Sequence, residues 1–353
     1  MTIYVFTGSL LTAVIDRYIS VIWTTRYFSD GDFELTLSPD TELLKKLEIG
    51  SFLVRDKDIE TSTRFKNVMR IENIEIKTDA ENGNTLVLTG KSLSSIVSQR
   101  VVASQTSLRG QLREVIHLLL VENFILPKNT SRQIADFKYE FDTSLTTTID
   151  TQVTGDNLGE WLSMLAEKYG FGWDVYWDNA YIFYLYNGTN RSRTQSAVPW
   201  VVFSPDFQNL LNTDYQYLTE QFKNVAVVAG EGEGAARSKV IVGNGTGINR
   251  FEQWVDARDI SSNDGTISGA DYIALLQARG TEALTEHINN ELFDGDVDAT
   301  RQYILNRDFF LGDIVQLEND YGISAQARVL EVIESEDASG TRVIPTFSAM
   351  GVM

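Results

Sequence analysis

The chain contains no cysteine at all. Disulfides and thiolate metal sites are therefore excluded, and assembly in a reducing compartment is the natural expectation. Histidine is nearly as scarce, with His117 and His287 the only two in 353 residues. Both fall in predicted helices, and neither has a second histidine at helical spacing, so a helical zinc pair or a histidine-based triad is not available within either helix. His117, flanked by Ile116, Leu118, Leu119 and Leu120, reads as a helix-edge or core residue. No apolar run approaches the ~18 residues that cross a bilayer. Met1–Gly8 lacks the basic head and apolar body of a signal peptide, so no membrane segment is expected. Basic residues are also under-represented: 30 Lys and Arg face 49 Asp and Glu, for a formal charge of −19. A chain that grips phosphates needs clustered cations, which argues against nucleic-acid binding.

What is present is a folding composition, 43 % hydrophobic and 11 % aromatic, over a length sufficient for two or three cores. Chemistry-bearing patterns are incomplete. Asp294, Asp296 and Asp298 open like a calcium loop, but the sixth and twelfth places hold Ala299 and Leu305 instead of glycine and glutamate. Gly230-Glu231-Gly232-Glu233-Gly234 has the glycines of a phosphate cradle, but Glu231 and Glu233 repel phosphate, so it reads as a turn between strands. No carboxylate pair is marked out by spacing, and no Gly-x-Ser-x-Gly elbow is present. No catalytic residue, cofactor site or metal site is predicted, and the chain is expected not to be an enzyme.

Alternation places strands at Ile3–Phe6, Leu10–Ile15, Ser20–Tyr27, Ser51–Arg55 and Thr85–Leu88, and on Phe33, Leu35 and Leu37. Within Asn67–Lys77 the phase shifts: Met69 and Ile71 share one face, Ile74 and Ile76 the other, which predicts a bulge near Glu72-Asn73. Leu108, Leu112, Val115, Ile116, Leu119 and Leu120 form a helical stripe. Asn157 with Glu160 opens a second helix, buried through Leu158, Trp161, Leu162 and Leu165 and closed by Gly170. Trp173–Trp177 and Tyr181–Tyr186 form a hairpin about Asp178-Asn179. Tyr272, Leu276, Gly280, Leu284, Ile288 and Leu292 predict a long helix. Strands follow at Gln302–Leu305, Ile314–Leu317, Ala325–Ile333 and Arg342–Phe347, with turns at Asn319–Gly322 and Asp337–Gly340.

Several short motifs follow one another along the chain. Trp23-Thr24-Thr25-Arg26-Tyr27 precedes Gly31-Asp32-Phe33-Glu34-Leu35; Gly90-Lys91-Ser92-Leu93 is followed by Arg100. Later come Asn187-Gly188, Arg191-Ser192, Val202-Phe203-Ser204, Asn209-Leu210, and Lys223-Asn224 leading to Gly230, Gly232, Gly234 and Arg237. Leu311-Gly312-Asp313-Ile314-Val315 and Ala327-Arg328-Val329 close the series. This succession resembles the baseplate-hub and tail-tip (Tal-like) proteins of long-tailed bacteriophages and related tail-like bacteriocins. The resemblance implies a mixed α+β, mainly β chain with two small tube-like barrels: one over 1–102, an α/β segment over 103–205, and a second barrel over 206–353 with a helical insertion near 268–293. It implies a structural hub in the virion, assembled in the host cytoplasm, that closes the tail tube as a pseudo-sixfold homotrimer. Implied partners are the distal tail protein or tail-tube ring, a central spike, tip or fibre protein, and the tape-measure protein. DNA would pass through without specific binding. Many relatives extend further with host-binding or wall-degrading parts, so the resemblance predicts that another protein supplies these, or that the tail is contractile or bacteriocin-like. A peptidoglycan-degrading tail enzyme and a wall-carbohydrate-binding adhesin are the alternatives.

Overall fold

Period-two alternation lays the first hundred residues down as strands: β1 (Ile3–Thr7), β2 (Leu10–Ile15), β3 (Ser20–Arg26), β4 (Asp32–Leu37), then a one-turn helix α1 (Thr41–Leu44), β5 (Phe52–Arg55), β6 (Arg64–Phe65), β7 (Met69–Lys77) and β8 (Thr85–Ser92). The computed structural model describes residues 1–79, 83–103, 106–262, 267–285, 287, 290–297 and 302–349. Then follow β9 (Thr106–Gln111), α2 (Leu112–Leu120), β10 (Phe137–Phe141), β11 (Thr148–Val153), α3 (Leu158–Tyr169), β12 (Gly172–Asp178), β13 (Tyr181–Tyr186), β14 (Val202–Phe203) and β15 (Leu210–Leu218). The chain continues through β16 (Val225–Ala229), β17 (Lys239–Gly243), β18 (Glu252–Asp256), α4 (Gly269–Thr285) and β19 (Asn290–Val297). It finishes with β20 (Ile314–Glu318), β21 (Ser324–Asp337) and β22 (Gly340–Ala349). With 42 % strand and 22 % helix the chain is mainly β with some helices. No closed barrel is detected among the described residues; strands from both ends of the chain instead share one sheet.

Two compact units are present. The first comprises Met1–Thr213 and Gly295–Ser348. Its main sheet runs β14-β20-β21-β3-β4-β8-β7-β5-β1-β2, with β22 paired to β21. The join between the early and late strands is β21, whose first half pairs with β20 (Ile314↔Arg328) and whose second half pairs with β3 (Arg26↔Glu331, Ser20↔Asp337). Inward residues of β1–β8, among them Ile3, Trp23, Leu35, Leu53, Met69 and Leu88, form one core. The expected bulge is present: the β7–β8 register shifts between Ile71 and Asn73. Gly90 faces it because a Cβ there would stand 2.0 Å from the Arg70 carbonyl oxygen.

A second core of the same unit lies under α2, α3 and the sheet β10-β13-β12-β6. In α3 the Asn157 side chain accepts from the Gly159 and Glu160 backbone N–H groups, and Gly170 ends the helix at φ 73°, as the capping pattern predicts. The α2 stripe is buried from Leu112 to Leu120, but Leu108 belongs to β9, which pairs with β11. A helical spacing that fits Leu108 is overridden there by strand pairing. The expected strand Gln302–Leu305 is absent; Leu305 makes one isolated bridge with Phe309.

In the second unit, Asp214–Asp294, β16 lies between antiparallel β17 and parallel β18. Tyr272 and Leu276 of α4 pack on Ala226, Val228 and Val240. The predicted long helix stops at Thr285, and Leu292 lies in β19, which pairs with β15. Position Ile288 lies outside the described residues.

Candidate functional site

Tyr27 follows β3 directly, and its backbone N–H continues the ladder to the Leu330 carbonyl at 2.8 Å. Its ring is fully buried in a socket made by three separate stretches of chain. A Cβ on Gly172 or Gly312 would stand 2.3 or 2.2 Å from the ring, so the close approach demands glycine at both places. The Tyr27 hydroxyl donates to the Gly170 carbonyl (3.3 Å) and accepts from the Gly188 N–H (3.0 Å). The Arg328 guanidinium lies 5.2 Å over the ring and donates to the Gly312 carbonyl at 2.8 Å. Burial raises the phenol pKa above its ordinary value against the opposing pull of Arg328.

Three of the motif pieces read from the sequence meet at this ring through Gly188, Gly312 and Arg328, and others make contacts of their own. Arg191 pairs with buried Asp313 at 2.6 Å, and the Thr189 N–H donates to the same carboxylate at 2.7 Å. Asn209 accepts from the Ser204 N–H (2.8 Å) and donates to the Val202 carbonyl (3.0 Å), tying that short strand to the turn after it. The Gly31 N–H donates to Ser92 Oγ at 2.9 Å, joining the start of β4 to the end of β8. Arg26 bridges the strand seam, donating to Glu331 (2.6 Å) and Asp32 (2.5 Å).

A second ionic cluster was not visible in the sequence. Arg55, 1 % exposed, stacks 4.6 Å over the Trp23 ring and donates to Asp58 and, at 2.8 Å, to Glu334 of β21. Glu334 also accepts from Lys57, and Asp58 from Asn67 at 2.7 Å. Burial opposes the Glu334 charge, but Arg55 and Lys57 hold its pKa below the ordinary value. The buried arginine is thus satisfied on both sides of the seam.

Beside the Tyr27 socket is a cavity of about 370 Å³. The β12–β13 hairpin lines it with Asp174, Tyr176, Tyr184 and Tyr186; Asp174 faces Tyr184 across the ladder. The Tyr184 and Tyr186 rings stack at 5.2 Å, and Tyr27 meets Tyr186 edge-on at 5.3 Å. Ser94 Oγ and the Val175 N–H donate to one Asp174 oxygen, and enclosure pushes the carboxyl up to about 6. Sequence reading missed this residue; the one signal is an acid within the otherwise aromatic run Trp173-Asp174-Val175-Tyr176-Trp177.

The residues weighed for chemistry fall on separate elements. His117 lies in α2 beside Tyr139, with ring centroids 4.8 Å apart. His287 lies beyond α4 rather than within it, and in the other unit. Asp294 and Asp296 fall in strand β19, while Asp298 and Ala299 lie outside the described residues. The stretch Gly230–Gly234 joins β16 to β17, as the turn reading expects; Arg237 donates to the Gly230 carbonyl at 2.9 Å and pairs with Asp256 at 2.7 Å. Among the described residues no cluster of His, Asp and Glu is arranged to hold a metal, and no helix is long and apolar enough to cross a membrane.

The family described as Siphovirus ReqiPepy6 Gp37-like protein matches residues 2–347. No curated protein matches the chain. The fold is similar to that of the 43 kDa tail protein of prophage MuSo2 from Shewanella oneidensis: TM-score 0.62, 12 % identity, 98 % of each chain covered. It is also similar to the tail protein from Neisseria meningitidis MC58, with TM-score 0.61, 15 % identity, and 99 % of this chain and 97 % of that one covered. Prophage tail protein gp18 from Listeria monocytogenes EGD-e gives TM-score 0.57 at 12 % identity, covering 99 % and 95 %.

Proposed function

Because the chain belongs to the Siphovirus ReqiPepy6 Gp37-like family of phage tail proteins, we propose that it is the hub at the distal end of a tail. In this reading it closes the tail tube as a homotrimer and joins it to a central spike, tip or fibre. The observation that carries the reading is the seam: strands from residues 3–92 and from 314–349 lie side by side in one sheet through the β21–β3 ladder. One chain then offers two neighbouring β segments, and three chains offer six, which suits a sixfold tube. The segments 1–102 and 206–353 are the two tube-like halves in this proposal, with 103–205 between them.

The −19 charge supports a passage whose wall repels a polyanion. With a Debye length of about 8 Å at physiological salt, such charges act on DNA only inside a narrow lumen. The role is structural rather than enzymatic, with the distal tail or tube ring and the tape-measure protein as further neighbours. The test is a reconstruction of the tail tip. Three 39.7-kDa chains, about 119 kDa in all, are expected in one ring around the axis. Six copies in that ring, or an axial channel lined mainly by Lys and Arg, would overturn the reading.

A further inference from the structure

The cavity beside Tyr27 is built from groups that select one kind of ligand. Three cations line it, and each is already neutralised: Arg26 by Asp32 and Glu331, Lys66 by Glu60 at 2.6 Å, and Arg191 by Asp313. An anion therefore finds no free partner. What remains uncommitted is polar: one carboxylate oxygen and two phenol hydroxyls. Among the described residues no donor reaches the second Asp174 oxygen, and no hydrogen bond engages the Tyr184 or Tyr186 hydroxyl. Asn67 and Asn306 also line the space, both held at positive φ (46° and 63°), a conformation that amide side chains tolerate best after glycine. The tyrosine rings supply apolar surface beside these groups, and a volume of about 370 Å³ falls within the range of small-molecule sites.

We propose that this cavity binds a neutral saccharide unit, of roughly one or two rings. Its hydroxyls donate to the free Asp174 oxygen and exchange hydrogen bonds with Tyr184, Tyr186 and Asn306; Asn67 is already held by Asp58. Its C–H face lies on tyrosine ring surface. A hydrogen-bond donor of this kind satisfies the Asp174 oxygen that the protein leaves open, and adds no net charge. The site does not depend on the hub reading, and neither result of its test bears on trimer formation.

The test is saturation-transfer NMR on the full chain with glucose, galactose, N-acetylglucosamine and maltose as probes, and with choline, inorganic phosphate and adenosine as competitors. At least one neutral sugar is expected to bind the wild type. Asp174→Asn, which keeps shape but weakens the acceptor, should lower that affinity tenfold or more. Ser29→Trp places a bulky ring on the cavity lining and should abolish binding; circular dichroism checks that both variants are folded. Wild-type protein that binds no sugar, or that prefers choline, phosphate or adenosine, sinks the proposal. So does sugar binding that survives in both folded variants.

Discussion

At the scale of single residues, the buried charges decide most. Arg55 is enclosed with Asp58 and Glu334 as its carboxylate partners among the described residues. Replacing it leaves both acids buried without it, so Arg55→Met should destabilise the chain by about 3–5 kcal/mol at neutral pH. The loss should shrink in acid, because protonating Glu334 removes its uncompensated charge; urea titrations at two pH values measure it. Asp174 works in the opposite direction. Its folded-state pKa of about 6 lies above the ordinary 3.8, so the native state binds the proton more tightly than the unfolded chain. Its unfavourable ionisation therefore develops as pH rises from about 4 to 6 and persists above, costing about 3 kcal/mol. Asp174→Asn should raise stability above pH 6, leave it nearly unchanged below pH 4, and flatten the pH profile between. A denaturation series across that range gives the answer.

At the scale of elements, local rules were readable where sequence and packing agree. The α3 cap pair, the β12–β13 hairpin and the β7 bulge were legible because each depends on residues close in sequence. The bulge makes a sharp test: with Gly90 pressed against the Arg70 carbonyl, Gly90→Ala should cost more than about 2 kcal/mol in urea unfolding, far above an exposed-strand Gly→Ala. Legibility failed where a distant partner decides. Leu108 fits the α2 stripe in spacing but pairs with Thr151 of β11, and Leu292 continues the α4 period but falls in β19. In the candidate site, the motif pieces around Tyr27 were recognisable as pieces, whereas the roles of Arg328, Gly172 and Asp174 were not. Arg328 and Gly172 act through Tyr27, more than a hundred positions away, and Asp174 is held by Ser94, eighty positions earlier.

At the scale of the whole molecule, acids exceed bases by 19, and their mutual repulsion works against any compact state. Raising ionic strength from about 0.01 to 0.15 M shortens the screening length from roughly 30 to 8 Å. The melting temperature should therefore rise over that interval; a flat or falling response would show that paired charges dominate the balance. The strand β21 has a consequence of another kind, in time. β3 finds its neighbour only when residues 331–337 exist. At roughly 5–20 residues per second, the ribosome needs on the order of 15–60 s to travel from one to the other. Throughout that interval one margin of β3 has open backbone groups and Trp23 has no Glu334 opposite it, so the nascent chain is most vulnerable to mispairing before synthesis reaches β21. A slow late step in refolding, abolished as a separate phase when β21 is supplied pre-paired by circular permutation, is the kinetic signature of a sheet whose closing strand is made last.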